Sequence, residues 1–185
     1  MYKYDKKLPY PVDVKKKDVK MAKLIITQFG GPNGELGAFL RYFCHKFSMP
    51  TPEGAALLND IATEEMGHCE MVCTMVYQLI KDASLDELKQ HDLTANYIEH
   101  GKGIYPSDSF GNPFTAGSLQ SMGDPITDLA EDMAAEEKAR STYENLIDMT
   151  EDPDLINPLL FLRQREIVHF ARFKELHDKY KKMGY

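Results

Sequence analysis

The sequence predicts an all-α protein: four long helices, joined two and two by one long connection. Three observations carry this. Apolar residues recur at helical spacing over four stretches, three of those stretches begin with a cap residue followed by proline, and residues 92–123 between the second and third are rich in glycine. At 185 residues the chain suits one core rather than two ordinary domains. Its composition, 43% hydrophobic and 28% charged, is that of a globular protein.

The elements follow in order. Residues 1–18 form a basic N-terminal arm. Residues 1–23 hold eight Lys against three Asp, a local +5 in a chain of −7, so the remainder carries −12. Pro9, Tyr10, Pro11 and Val12 in the arm read as packed rather than loose, docked on another subunit. The first helix spans roughly Val19 to Ser48 with Met21, Leu24, Ile25, Phe39, Tyr42 and Phe43 as its apolar set. Its middle, Gly30-Gly31-Pro32-Asn33-Gly34, is poor helix material and suggests a break, a kink or the close approach of another backbone.

The second helix starts at Thr51-Pro52-Glu53, a cap, a first-turn proline and an acid beside the positive helix end, and runs to about Asp82. A short helix over Ser84 to about His91 follows. Residues 92–123 contain five Gly and two Pro among Tyr97, Ile98, Ile104, Tyr105, Phe110 and Phe114. That is too long for an ordinary loop and apolar enough to lie along a surface, so it reads as a crossover. The third helix runs from Asp124-Pro125 to about Met149, and the fourth from Asp152-Pro153 to about Lys182, tolerating Pro158 near its start. Two helices, a long crossover and two more helices is the wiring of a ferritin-like four-helix bundle.

Several function classes are excluded early. No apolar run approaches the ~18 residues of a membrane span, and the N-terminus lacks a signal peptide's apolar stretch. Three cysteines, Cys44, Cys69 and Cys73, do not form a closed disulfide framework and point to a reducing compartment. The net charge argues against nucleic acid as a partner.

The chemistry lies in two Glu-x-x-His motifs, Glu65-Met66-Gly67-His68 on the second helix and Glu166-Ile167-Val168-His169 on the fourth. A spacing of three puts both side chains on one helix face, about 60° apart, within reach of one metal. Helical steps from Glu65 meet Leu58, Ile61, Ala62, Cys69, Val72 and Val76, a core stripe; steps from Glu64 meet the more mixed Leu57, Asp60, Gly67 and Met71. Glu65 is therefore expected inside and Glu64 outside. Glu166 lies with Leu159, Leu162, Phe170 and Phe173. An ionised carboxylate on such a face is costly without a compensating cation.

The other two long helices each offer one inward glutamate: Glu35, beside Ala38, Phe39 and Tyr42, and Glu136, beside Leu129, Met133, Tyr143 and Ile147. Taken singly these would be ordinary surface glutamates and helix histidines. Together, four carboxylates and two imidazoles on apolar faces form the dinuclear carboxylate pattern of ferritin-like proteins, suited to two Mn or Fe ions. Tyr42, two turns beyond Glu35, points toward the same site, where it is either a hydrogen-bond partner of a ligand carboxylate or a core aromatic. His45, His91, His100 and His177 lack such company and read as structural or surface residues, and Cys69 and Cys73 as inert thiols.

Four stretches of the sequence resemble the manganese catalases: Gln28-Phe29-Gly30-Gly31-Pro32-Asn33-Gly34-Glu35-Leu36, Glu64-Glu65-Met66-Gly67-His68, Ala134-Ala135-Glu136-Glu137-Lys138-Ala139-Arg140 and Arg165-Glu166-Ile167-Val168-His169. The opening Tyr4-Asp5-Lys6-Lys7-Leu8-Pro9-Tyr10-Pro11-Val12 and Gly111-Asn112-Pro113-Phe114 are similar too. The similarity covers essentially residues 1–185 as a single domain and is nearest in form to the short, JC-type spore-coat branch.

That resemblance implies a dimanganese centre of two Mn ions per chain, a homo-oligomer (a hexamer in the family) and hydrogen peroxide as substrate, disproportionated to water and oxygen. By motif, Glu35, Glu65 and His68 would hold one ion, with Glu65 bridging, and Glu136 and His169 the other. Glu166 would stand just outside the direct ligands as acid/base, and Tyr42 would hydrogen-bond near the bridging carboxylate. The family pattern also implies that the first helix continues through its glycine-rich middle. The sequence stops at Tyr185, where catalytic members usually carry a C-terminal extension, so the resemblance does not carry over the family's calcium site and subunit clasp.

Two other readings use the same residues. In a di-iron ferritin-like oxidase, Glu166 would bind metal directly. In a spore-coat assembly protein, the metal site would be vestigial and the partners other coat proteins.

Overall fold

A computed structural model describes residues 7–185. Lys3, Lys6 and the Tyr4-Asp5 pair of the sequence similarity lie outside the described residues. The described residues fold as eight α-helices and two short 3₁₀ turns: α1 (Val19–Ile25), α2 (Thr27–Gly30), α3 (Glu35–His45), α4 (Pro52–Ile80), α5 (Leu85–Gln90), α6 (Thr94–His100), α7 (Pro125–Ile147) and α8 (Pro153–Met183). There is no strand among the described residues, and a single bridge links Ser107 to Pro113. No described helix is long and apolar enough to cross a membrane.

Local chemistry sets the helix starts. Asp18, Thr51, Ser84, Asp124 and Asp152 each accept a backbone N–H of the first turn through their side chains. Proline occupies the first turn of α4, α7 and α8, where its missing N–H costs nothing. Pro158 lies inside α8 without interrupting it. The long helices match the sequence-predicted ones within about two residues at most ends.

The first predicted helix is the exception, and the continuity implied by the family pattern is corrected here. It is split into α1, α2 and α3, with residues 31–34 outside any helix. Gly31 is extended (φ −73°, ψ 166°), and so is Gly34, which precedes α3 (φ −89°, ψ 170°). Propensity therefore prevails, and a second backbone does come close. A Cβ on Gly30 would lie 2.2 Å from the Pro106 carbonyl carbon and the Ser107 nitrogen, so the crossover runs directly over this break. The crossover is also more ordered than a loop, since it contains α6.

α3 packs on α4 and α7 on α8, and the two pairs close on each other through α3 with α7 and α4 with α8. Two apolar clusters fill the interior. One joins Met71, Met75 and Leu79 of α4 to Tyr143 and Leu146 of α7 and Leu155, Leu159 and Leu162 of α8. The other joins Leu58 and Ile61 of α4 to Leu129 and Ala135 of α7 and Phe173, Leu176 and Tyr180 of α8. On every long helix the metal-type residues fall between these clusters, so the site occupies a polar waist between two apolar halves.

The described part of the basic arm lies along its own bundle. The Val14 amide donates to Gln78 Oε1 (2.7 Å), Gln78 Nε2 donates to the Val12 carbonyl (3.2 Å), and Tyr10 stacks on Phe161 at 5.1 Å.

Candidate metal centre

The break before α3 places Glu35 in the first helical turn, facing inward, with 1% of its surface exposed. α4 contributes Glu65 and His68, α7 contributes Glu136, and α8 contributes Glu166 and His169, all buried. Six residues separated by up to 134 positions in sequence thus converge in one pocket. They form two overlapping groups, Glu35–Glu65–His68–Glu166 and Glu65–Glu136–Glu166–His169, each with its ligand atoms within 4.8 Å of one another.

Glu65 lies at the centre. Its Oε2 is 2.6 Å from His68 Nδ1 and its Oε1 is 2.8 Å from His169 Nδ1. The two imidazoles are nearly parallel, at 20°, with centroids 5.7 Å apart. Glu35 and Glu166 each approach His68 Nδ1 to 3.8 Å, and Glu136 approaches His169 Nδ1 to 3.7 Å. Both Nδ1 atoms therefore face the carboxylates, and Nδ1 is the ligating nitrogen this geometry offers.

Electrostatics show what the pocket lacks. Burial, then Glu65, pushes the Glu35 carboxyl up to about 7. Burial, then Glu35, Glu136 and Glu65, raises Glu166 well above the carboxylate range, and burial also raises Glu136. Burial opposes ionisation of Glu65 as well, but His169 and His68 outweigh it and hold that carboxyl far down. Glu65 in turn overcomes the burial of the imidazoles, raising His68 well above its ordinary value and His169 to about 11. Four buried carboxylates compete for too little positive charge.

Hydrogen bonding gives the sharper test of fit. Eleven buried side-chain polar atoms among the described residues have no hydrogen-bond partner, and nine of them belong to these six residues. Native interiors leave very few such atoms unpaired, and concentration at one point calls for an ion or a reactive role. Two divalent cations would neutralise four carboxylates and accept the orphaned lone pairs, and an oxygen-rich set with two imidazoles suits Mn or Fe. The residues fit the dinuclear metal.

The sequence-predicted residues separate in detail. Glu166, like Glu65, enters both groups. Tyr42 is buried and faces Glu136; burial, then Glu136, keeps its phenol protonated. The phenol that serves Glu35 is Tyr143, whose hydroxyl donates to Glu35 Oε1, a role that its place on the inner face of α7 allowed but did not specify.

Glu64, expected outside, is half-buried. It meets Arg165 at 2.6 Å and approaches His169 Nε2 to 3.1 Å and His68 Nε2 to 3.6 Å. Adjacent positions on a helix point about 100° apart, so its mixed face was legible but its contact with α8 was not.

His45 is structural and fully buried, its Nδ1 2.7 Å from Asp132 and its Nε2 2.6 Å from the Gln120 carbonyl at the end of the crossover. Burial raises the Cys69 thiol and pushes Cys73 up to about 12, which makes both inert at neutral pH.

Known proteins are similar to this chain. A family model described as manganese containing catalase matches residues 1–182. Protein CotJC of Bacillus subtilis (strain 168) is 50% identical over 175 residues, covering 95% of this chain and 92% of that protein. A probable manganese catalase of Clostridium acetobutylicum is 31% identical over 186 residues, covering 100% of this chain and 83% of that protein. The crystal structure of wild-type KatB, a manganese catalase from Anabaena, superposes with a TM-score of 0.90 at 33% identity, over 100% of this chain and 83% of that one. A ferritin-like bundle whose waist gathers these carboxylates and imidazoles, with sequence similarity running from end to end, places the chain in the manganese-containing catalase family.

Proposed function

We propose that this protein is a dimanganese catalase-like oxidoreductase that converts two molecules of hydrogen peroxide into water and oxygen, and that it serves as a spore-coat component. The observation that carries the enzymatic reading is the set of nine orphaned polar atoms on six residues grouped into two overlapping ligand clusters. The two ions, when bound, supply a reversible two-electron change, so one peroxide is reduced and a second oxidised with no external donor.

The chain's own residues account for the rest. Glu35 and His68 would hold one ion and Glu136 and His169 the other, with Glu65, which enters both groups, available to each. Glu166, which burial and the neighbouring carboxylates incline to keep a proton where the two groups overlap, would be the acid/base that gives a proton to the peroxide being reduced to water and regains one from the peroxide being oxidised to oxygen. Tyr143 donates to Glu35 and fixes its carboxylate plane. The protonated Tyr42 beside Glu136 and the two apolar clusters keep bulk water away from the waist. The coat assignment, and coat proteins as partners, rest on the similarity to CotJC; a hexameric homo-oligomer is the assembly expected of a family member.

One observation favours a second reading. Because Glu166 belongs to both clusters, it can serve as a sixth protein ligand, as in a di-iron oxidase. Metal analysis of the purified protein combined with oxygen evolution from peroxide without reductant separates the two. The expected result is about two Mn per chain, with oxygen release abolished in Glu65→Gln and His169→Ala. Iron in place of manganese, or oxygen release unchanged in those variants, would sink the catalase reading. Recovery of the protein from the coat fraction of purified spores tests the location.

A further inference from the structure

We infer that Glu64 is a positioning residue for the metal centre, a single carboxylate that takes the outward N–H of both metal-binding histidines and is itself held by Arg165. The inference rests on the reading that His68 and His169 bind metal, but not on which metal they bind.

Both imidazoles turn Nδ1 toward the buried carboxylates. A neutral imidazole that gives Nδ1 to a metal carries its proton on Nε2. Two buried N–H groups then need acceptors, and each left unsatisfied would cost about 1–3 kcal/mol. Neither Nε2 has a hydrogen-bond partner among the described residues.

The acid that faces them is Glu64, with one oxygen for each ring: Oε2 at 3.1 Å from His169 Nε2 and Oε1 at 3.6 Å from His68 Nε2. These are ion-pair distances rather than in-line hydrogen bonds. The two rings lie nearly parallel, at 20°, and both present Nε2 toward this one carboxylate. From the solvent side Arg165 grips the same carboxylate with two donors, Nε at 2.6 Å and Nη2 at 3.2 Å. The planar guanidinium fixes the carboxylate plane in a way that a lysine could not.

An exposed Glu–Arg pair on its own would be an ordinary surface ion pair of small value. Here the two side chains are only 26% and 28% exposed, and the other edge of the carboxylate faces two fully buried ligands. Adjacent residues of α4 thus embrace the histidine pair, Glu65 from within at Nδ1 and Glu64 from without at Nε2. Such outer carboxylates orient imidazoles and strengthen them as donors, and their loss typically weakens metal binding about 10–100-fold.

Titration with Co(II), whose visible bands report its ligands, tests this in wild-type protein, Glu64→Gln and Glu64→Leu. Gln keeps an acceptor oxygen without the charge, and Leu keeps neither. The expected result is binding weakened about 10-fold in Gln and up to about 100-fold in Leu, with shifted bands and unchanged helical content. If Leu fails to fold, Gln carries the test. Unchanged affinity and bands, weaker binding with unshifted bands, or a wild-type protein that takes up no Co(II), would each overturn the inference. A wild-type protein that binds Co(II) but yields no oxygen with Mn fails the catalase reading alone, and the Glu64 comparison stands.

Discussion

Glu35 shows how one carboxyl ties the fold to its metal. Its folded value of about 7 lies above its ordinary 4.5, because burial and then Glu65 disfavour the charge. A group raised in this way contributes stability that is fully present below about pH 4.5 and lost as the pH rises through about 7. A divalent cation competes with that proton for the same oxygens. Manganese uptake at about pH 6 should therefore release protons, from Glu35 and from the two histidines that Glu65 holds protonated, and apparent affinity should climb with pH through about 7. Calorimetric titration in buffers of different ionisation enthalpy measures the released protons, and an affinity that is flat across that window would contradict the assignment. The same logic explains why Tyr143 matters: its hydroxyl is the partner Glu35 has on the protein side.

At the scale of elements, the split between α2 and α3 decides where Glu35 can stand. A continuous helix would have fixed Glu35 by the phase of α1; the break at residues 31–34 frees α3 to set its own. The crossover seals this break at Gly30, and His45 and Asp128 hold the crossover's far end through the Gln120 carbonyl and the Met122 and Gly123 amides. Gly30→Ala should therefore act on the crossover rather than on helix propensity. The added methyl meets backbone at 2.2 Å, which cannot move aside as a side-chain tip would. A loss of about 1–3 kcal/mol is expected, read as a lower denaturant midpoint, although Ala is the better helix former. A midpoint equal to or above wild type would show that the contact relaxes freely.

The molecule as a whole is two apolar clusters joined by a charged waist. Each cluster is stable by ordinary burial, but the waist places four carboxylates together and opposes closure of the bundle. Metal should therefore stabilise the whole fold, because it binds the assembled waist and not the unfolded chain. At about a thousandfold excess over its dissociation constant the gain is about 4 kcal/mol. Stripping the metal with a chelator should lower Tm by several degrees and restoring Mn(II) should recover it. A Tm insensitive to both would mean that the six residues do not hold a cation together.

The division between sequence and tertiary structure follows from range. The three long helices after the first, their starts at Thr51, Asp124 and Asp152, and the inward face of Glu65, Glu136, Glu166 and His169 were legible, because caps and the 3.6-residue period act within a few residues of themselves. The choice of Glu136 over Glu137 and of Glu65 over Glu64 came from that same periodicity, and burial agrees with both.

What periodicity could not supply was the partner across the bundle. That Tyr143 donates to Glu35, that His45 pairs with Asp132, and that Arg165 clamps Glu64 depend on contacts between residues 87 to 108 positions apart. Such pairings are set by how helices dock, and no local rule encodes docking. The sequence by itself determined which side chains face inward, a set of a kind that could hold a metal; only the packed bundle decided which of them meet, because an inward direction belongs to one helix and a distance belongs to two.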